Sequence, residues 1–252
     1  MNRILKSLIV CFLASFVIFI AGYSSYKSSL DKIVKDKYHL SQPSSISNYY
    51  AINEKNAIKQ SVASSVHVVS STPDGTMISL SSGTYLKFQN TFYVLTTSHG
   101  LIGECSGIAI IYFEEYVGCN KILVNNTSMD YAIIEVDEIQ SRKAVKFPAG
   151  FAKNYKNNNL MDKVYYTGYP NSGGPLTFGG TISGFDEYGF IYMHSYAWSG
   201  SSGAGVFDSK GKLTGMIMAI DVGTSEYGVD VLEDIVVVVP ADMIDWAPVF
   251  HK

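Results

Sequence analysis

Charged side chains are scarce in this sequence: they make up 16% of its 252 residues, and the formal net charge is −3. No run of lysine and arginine is long enough to form a basic surface for nucleic acids, so we expect no nucleic-acid partner. Cysteine is also rare, with three residues at positions 11, 105 and 119. Their spacing and the neighbouring residue types do not suit a zinc site, so we expect no metal.

No internal repeat is present, which excludes solenoid and propeller architectures built from repeated units. Tyrosine (18), phenylalanine (13) and glycine (22) are abundant, together with many valines and isoleucines. This composition favours short strands and tight turns over helices. The length allows one or two domains with a substantial apolar core.

The amino terminus resembles an export signal. Arg3 and Lys6 precede an apolar run from Leu8 to Ala21, the pattern of a secretory signal peptide or a retained signal anchor. We expect residues 1–22 to form a hydrophobic helix, with retention as a membrane anchor slightly favoured over cleavage. Residues 23–54 are predicted to be a tether. The lysines on the two sides do not decide the orientation, so a membrane-anchored extracytoplasmic domain and a secreted one both stay open.

From about residue 55 the sequence reads as a succession of short apolar or alternating segments separated by turn residues. Seven predicted strands lie within about 55–140, and six more lie within about 160–240. This close spacing is typical of barrels or sandwiches, so the prediction is an all-β region in two halves over 55–252. One short helix is predicted after Pro240, beginning with Ala241 and Asp242.

Three residues in these halves have the chemistry of nucleophilic catalysis. His99 ends a strand, Asp130 precedes a buried strand, and Ser202 lies in a Ser/Gly-rich turn. An imidazole can take a proton from a hydroxyl group while a carboxylate fixes the imidazole tautomer. Each residue alone is more often structural: a histidine at a strand end, an aspartate in a turn, a serine in a loop. Their order, each beside a strand, favours a catalytic triad.

The sequence resembles the chymotrypsin-fold serine proteases, specifically the HtrA-type (Deg-like) or trypsin-like peptidase-2 branch, over residues 58–247. The matching segments are 82–85, 94–99, 130–134, 168–170, 180–184, 200–206, 215–220 and 239–242. The resemblance implies two six-stranded antiparallel β-barrels with the active site in the cleft between them. It also implies a protein or peptide substrate and no cofactor. HtrA-type enzymes usually carry a PDZ domain after the protease domain, and none is expected here.

The resemblance assigns roles to individual residues. His99 corresponds to the general base, Asp130 to its orienting acid and Ser202 to the nucleophile. The backbone N–H groups of Gly200 and Ser202 correspond to the oxyanion hole. Tyr196 stands where the family has the base of the primary substrate pocket. The expected wall of that pocket is Met218, Ala219 and Ile220.

The expected pocket carries no carboxylate, so a small or apolar residue is predicted before the scissile bond. The sequence departs from the family pattern after the nucleophile, where Ala204 and Gly205 replace glycine and proline. A side chain at position 204 is tolerated only if the backbone there has an ordinary negative φ. A catalytically inactive pseudoprotease, serving as a membrane-tethered binding module, is therefore the main alternative. A viral or phage enzyme that processes its own precursor is a third. The oligomeric state cannot be derived from the sequence.

Other residues offer rival triads. Ser172 begins a Ser-Gly-Gly-Pro tetrapeptide that matches the family nucleophile motif more faithfully, but its place after Gly168-Tyr169-Pro170 favours a structural loop. An α/β-hydrolase needs a histidine well after the nucleophile, and only His251 follows. A subtilisin-like order could use Asp74, but the long helices of that fold are not predicted. The remaining histidines are interpreted as structural: His39, His67 and His194.

The pairing of Cys105 with Cys119 stays open at this stage. In an oxidising compartment these two cysteines could form a disulfide that stabilises the fold by about 3 kcal/mol in the chain-entropy model. A tight hairpin centred on Glu114 and Glu115, however, would not place them opposite each other.

Overall fold

The computed structural model describes residues 52–147, 149–151, 158–225 and 228–250. Side chains are not described at 52–53, 219–225 and 228–233. In chain order the elements are α1 (Ile52–Ser64), β1 (Ser65–Ser71), β2 (Ile78–Phe88), β3 (Thr91–Thr96), β4 (Ile108–Tyr112), β5 (Glu115–Asn126), β6 (Tyr131–Val136), β7 (Val145–Lys146), β8 (Lys163–Gly168), β9 (Leu176–Phe185), β10 (Ile191–His194), β11 (Gly205–Asp208), β12 (Leu213–Ser225), β13 (Gly228–Pro240) and α2 (Ala247–Phe250).

The first six strands close into an antiparallel barrel. Their spatial order is β1-β4-β5-β6-β3-β2, and the pairing of β1 with β2 completes the circle. Side chains of β1 alternate between the barrel interior and its outer face: Val66 and Val68 are fully buried, whereas His67 and Val69 are half-buried. The short β7 extends the sheet in parallel beside β2. The first predicted barrel is thus confirmed.

The second six strands form another closed barrel, in the order β10-β13-β12-β11-β8-β9. All pairings within it are antiparallel. Its interior is filled by aliphatic side chains together with one tyrosine, Tyr166, which is fully buried. The prediction of two six-stranded barrels is therefore confirmed in full.

A third apolar cluster lies between the barrels. The first barrel contributes Tyr93, Leu95 and Ile133 among others, and the second contributes Phe207 and Met216. The C-terminal segment adds two buried aliphatic residues, Ile244 and Val249. Burial of this surface fixes one barrel against the other, so that loops from both barrels can form one site.

Helix α1 corrects the prediction that strands begin near residue 55. Apolar residues do not recur along it with a strong helical period, so its sequence pattern did not indicate a helix. Contacts with the second barrel hold it instead. The hydroxyl groups of Ser61 and Thr167 lie 2.6 Å apart, and the Lys163 ammonium contacts the Glu54 carboxylate at 2.9 Å.

The predicted C-terminal helix is present, but it is short and begins at Ala247 rather than at Ala241. The reason is local. The Asp245 carboxylate accepts the N–H of Ala247 at 3.0 Å, which caps the helix there. Pro248 in the first turn lacks an N–H that would need an acceptor. Residues 241–246 form turns, in which the Trp246 indole donates to the Ala241 carbonyl at 2.7 Å.

Cys105 and Cys119 form a disulfide with their Cα atoms 5.2 Å apart. The hairpin between β4 and β5 does not keep the two cysteines apart. Strand β4 begins only at Ile108, so Cys105 lies outside the ladder. It belongs to a short 3₁₀ turn at Cys105–Gly107. That turn, together with a register shift in β5 immediately after Cys119, brings the two sulfur atoms together.

The predicted export segment, residues 1–22, lies outside the described residues, as do Cys11 and His39. The predicted tether lies outside them as well, except for its last residues, which begin α1. In the part of the chain that the structure describes, no helix has both the length and the apolar character needed to cross a bilayer.

Candidate active site

The pairing of β3 with β6 brings His99 and Asp130 together. In this antiparallel pair Thr96, at the end of β3, lies opposite Ala132, near the start of β6. His99 follows β3 and Asp130 precedes β6, so both residues lie at the same edge of the barrel. The Asp130 carboxylate accepts two hydrogen bonds from His99: one from the backbone N–H at 2.9 Å and one from Nδ1 at 2.7 Å.

This arrangement fixes both the position and the electrostatics of the imidazole. The hydrogen bond that His99 donates to Asp130 raises the pKa of His99 above its ordinary value of 6.5, and partial burial opposes that shift. Because Nδ1 donates to the carboxylate, Nε2 is the nitrogen free to accept a proton in the neutral ring. Ser98 supports the turn from below: its hydroxyl donates to the Asn125 side chain at 2.6 Å.

The loop that carries Ser202 depends on two glycines with positive φ. Gly200 has φ +94° and Gly203 has φ +92°, values that side chains rarely allow. The backbone N–H of Ser201 turns back to the Trp198 carbonyl at 2.9 Å, and the N–H of Gly203 donates to the Ile217 carbonyl at 2.8 Å. These bonds leave the N–H groups of Gly200 and Ser202 without a backbone acceptor among the described residues.

The orientation of the Ser199–Gly200 peptide is set by a neighbouring loop. The N–H of Asn171 donates to the Ser199 carbonyl at 2.7 Å. In a trans peptide the C=O and the following N–H point in opposite directions. The Gly200 N–H therefore points away from Asn171. An oxyanion donor at this position needs that direction, because Asn171 occupies the side to which the Ser199 carbonyl points.

The serine loop and the histidine turn belong to the same cleft. Gly203, next to Ser202, lies against Thr96 at the end of β3, where a Cβ would come within 2.6 Å of the threonine hydroxyl. Ser202 is half-buried. No hydrogen bond joins its hydroxyl to the His99 ring in the described ranges.

The chain matches a protein-family model. Residues 81–216, more than half of the chain, match the model of the trypsin-like peptidase domain. The chain belongs to this family.

Solved structures share the peptidase fold at low identity. A serine endoprotease from Yersinia pestis matches with a TM-score of 0.59 and 17% identity, over 75% of this chain and 63% of that one. The HtrA-type protease AlgW, solved with a tripeptide, matches with a TM-score of 0.56 and 18% identity, over 75% and 60%. The present chain thus spans less than two thirds of the length of these two proteins.

A third solved structure is matched over a larger share of its length. It is the Rv3671c protease from M. tuberculosis in its active form, with a TM-score of 0.56 and 18% identity, over 76% of this chain and 81% of that one. No curated protein sequence matches the chain.

The departures of this chain from the family pattern are accommodated locally. Ala204 has no positive φ, and its side chain is buried in the second-barrel core. Gly205 is required for close packing, because a Cβ there would lie 2.4 Å from the Thr84 hydroxyl. The loop is therefore packed on both sides in spite of the missing proline.

The rival nucleophile, Ser172, lies elsewhere. It lines a cavity of about 230 Å³ together with His67, Tyr169 and several aromatic and glycine residues. No carboxylate lines that cavity, so it offers no acid to orient a histidine. The ring of His67 stacks on Tyr169 at 5.0 Å, and burial lowers the pKa of His67. These contacts suit structural roles for Ser172 and His67.

Asp74 and His194 also have local partners, whereas His251 lies outside the described residues. Asp74 accepts hydrogen bonds from Thr72 and Thr76 in the turn between β1 and β2. His194 approaches Asp234 at 3.5 Å at the end of β10.

The residues predicted to form the primary pocket are described only in part. Tyr196 is 63% exposed, and its ring stacks on Trp198 with the centroids 6.3 Å apart. Met218 is half-buried and packs against the cluster between the barrels. The side chains of Ala219 and Ile220 lie outside the described part. The specificity pocket stays a prediction.

The sequence did not indicate one residue that contacts this site, Ser82. It is fully buried in β2 and bonds to both Gly200 and Ser202. The family resemblance includes segment 82–85 but gives Ser82 no role, because its partners Gly200 and Ser202 lie more than 100 residues away along the chain.

Proposed function

We propose that this chain is a serine endopeptidase that hydrolyses peptide bonds through His99, Asp130 and Ser202. The observation that carries the proposal is the double hydrogen bond from His99 to Asp130, which leaves Nε2 available at the cleft. Membership of the trypsin-like peptidase family supports it. So does the Ser202 loop, which contains two positive-φ glycines and in which the N–H groups of Gly200 and Ser202 have no backbone acceptor among the described residues.

The reaction follows from these positions. Ser202 Oγ attacks the carbonyl carbon of the substrate as its proton passes to His99 Nε2. Asp130 stabilises the resulting imidazolium, and the N–H groups of Gly200 and Ser202 bind the negative oxygen of the tetrahedral intermediate. The C–N bond then breaks, and His99 returns the proton to the leaving amine. Water, activated by His99 in the same way, hydrolyses the acyl-enzyme and regenerates Ser202.

A fluorophosphonate probe tests the nucleophile. The full chain should be labelled, and Ser202→Ala should lose the label. Ser172→Ala is the matched control and should keep it. Replacing Ser202 or His99 should lower kcat by about a millionfold. A folded wild-type chain that takes no label would support the pseudoprotease alternative, a binding module that retains the double barrel.

The substrate preference is proposed to be a small or apolar residue before the scissile bond. No acidic side chain is present from Tyr196 to Gly200, the stretch that leads into the oxyanion loop. Profiling cleavage of a peptide library measures this directly. Dominance of lysine or arginine before the cleaved bond would overturn the assignment.

We also propose that the peptidase is exported, either anchored through residues 1–22 or secreted. The apolar run from Leu8 to Ala21 supports export. The Cys105–Cys119 disulfide is consistent with an oxidising compartment. Cell fractionation should recover the full chain with membranes or in the medium, and removal of residues 1–22 should retain it in the cytoplasm. Equal distribution of both forms would contradict export through this segment.

A further inference from the structure

Ser82 uses each of its polar groups at the active site. Its backbone N–H donates to the Ser202 carbonyl at 2.8 Å, and its hydroxyl donates to the Gly200 carbonyl at 2.6 Å. The same hydroxyl accepts the N–H of Tyr169 at 2.8 Å. Its carbonyl accepts the hydroxyl of Thr96 at 2.7 Å, below the histidine turn. One residue of the first barrel therefore bonds to three segments of the site.

The hydroxyl acts on the oxyanion donors along two routes. It bonds Gly200 directly and so fixes the backbone of the residue whose N–H is one donor. By accepting the N–H of Tyr169, the hydroxyl also holds the loop that contains Asn171. Asn171 in turn orients the Ser199–Gly200 peptide. The first route positions the donor and the second sets its direction.

Water cannot replace this hydroxyl easily, because Ser82 is fully buried. Without it, the Tyr169 N–H and the Gly200 carbonyl would both lose a buried partner, which is costly. The loop would then relax to satisfy these groups. Oxyanion stabilisation depends on donors that are already in place before reaction, so such a relaxation weakens transition-state binding more than substrate binding.

We propose that Ser82 is a positioning residue for the oxyanion hole, acting through its hydrogen bonds to Gly200 and Tyr169. The inference rests on the proposed peptidase function. Ser82 itself contacts neither the reacting atoms nor the substrate. The signature is a fall in kcat with KM nearly unchanged, because only the interaction made in the transition state is weakened.

The test compares Ser82→Ala with Ser81→Ala in the full chain. Ser81 is the neighbouring buried serine, and its hydroxyl has only a 3.5 Å contact with Thr96. Ser82→Ala should lower kcat ten- to a hundredfold, equivalent to about 1.4–2.7 kcal/mol. A peptide boronate, which forms a tetrahedral adduct with the nucleophile, should lose affinity by the same factor. The acid limb of the pH profile should not move, since His99 is untouched.

Folding is monitored by near-UV circular dichroism and thermal unfolding. If Ser82→Ala loses its near-UV signal, Ser82→Cys decides, because a thiol keeps a weak donor and acceptor at this position. We expect that variant to be three- to tenfold slower in kcat, a partial retention that a merely structural role would not give.

Three results are distinguishable. A folded wild type without peptidase activity or probe labelling would overturn the proposed function itself. An active wild type with Ser82→Ala equal to Ser81→Ala, or with Ser82→Cys equal to wild type, would overturn only the role of Ser82. A rise in KM with kcat and boronate affinity unchanged would also overturn it, since that pattern reports lost substrate binding.

Discussion

Gly203 passes so close to Ser82 that a Cβ at position 203 would lie 2.0 Å from the Ser82 carbonyl oxygen. The residue also has φ +92°. Close approach and left-handed backbone therefore both require glycine directly after Ser202. The contact joins the loop of the second barrel to a strand of the first.

Gly203→Ala should consequently destabilise the fold by more than about 2 kcal/mol and remove at least a hundredfold of peptidase activity, because the loop must move away from Ser82. Urea unfolding and peptide hydrolysis measure the two effects. Gly118→Ala is the matched control, since a Cβ there meets nothing within 4 Å. An alanine at 203 with wild-type stability would contradict the packing described here.

The pH dependence of kcat/KM should report the His99–Asp130 pair. The imidazole must be neutral to accept a proton, and Asp130 raises the pKa of His99. The acid limb should therefore lie above pH 6.5 in the wild type and shift downward in Asp130→Asn, with a loss of about 10⁴ in kcat.

Two further measurements check that assignment. Asp234→Asn, which alters the carboxylate beside His194, should leave the limb in place. The stability that the pair contributes should be fully present below pH 6.5, where His99 is charged in both states, and should be lost as pH rises through the raised pKa. An acid limb that ignores Asp130 would exclude His99 as the base.

Loss of the disulfide should lower stability but leave the site intact. The double variant Cys105→Ser, Cys119→Ser should unfold with about 3 kcal/mol less free energy, according to the chain-entropy model. Denaturant titration with and without reductant checks this, because the reductant should weaken the wild type and leave the variant unchanged. A variant as stable as the oxidised wild type would refute the contribution.

Gly205 and Thr84 form a complementary pair that a double-mutant cycle can measure. A Cβ at 205 would lie 2.4 Å from the Thr84 hydroxyl and 3.0 Å from its methyl group. Gly205→Ala should cost about 1–3 kcal/mol through overpacking. In a Thr84→Ala background the cost should be smaller, since both of those atoms are gone. Strict additivity of the two changes would show that Thr84 is not the obstacle.

Much of this fold could be predicted because the pattern of apolar residues within a strand indicates which of its side chains are buried. The alternation in β1 and the apolar run of β6 each follow from whether successive side chains face a core. His99 and Asp130 were predicted as partners from their places at strand ends together with the family resemblance. The structure confirms the two barrels, and it shows two hydrogen bonds from His99 to the Asp130 carboxylate.

Helix α1 and strand β7 were not predicted, because both are held by contacts with distant parts of the chain. The helix has a weak apolar period and is held by partners such as Thr167 on a distant strand. Strand β7 has two residues and exists through its parallel pairing with β2. The residues of these two segments alone therefore do not indicate a helix or a strand.

The sequence by itself determined the two β-rich halves, the order of His99, Asp130 and Ser202, and the need for small residues around the nucleophile. Only the tertiary structure decided the Cys105–Cys119 bond, the fit of Gly205 against Thr84 and the contacts of Ser82. The physical reason is that local patterns record which side chains face a core, whereas these contacts join segments that only folding brings together. The partners are 14 residues apart in the disulfide and 118 residues apart for Ser82 and Gly200.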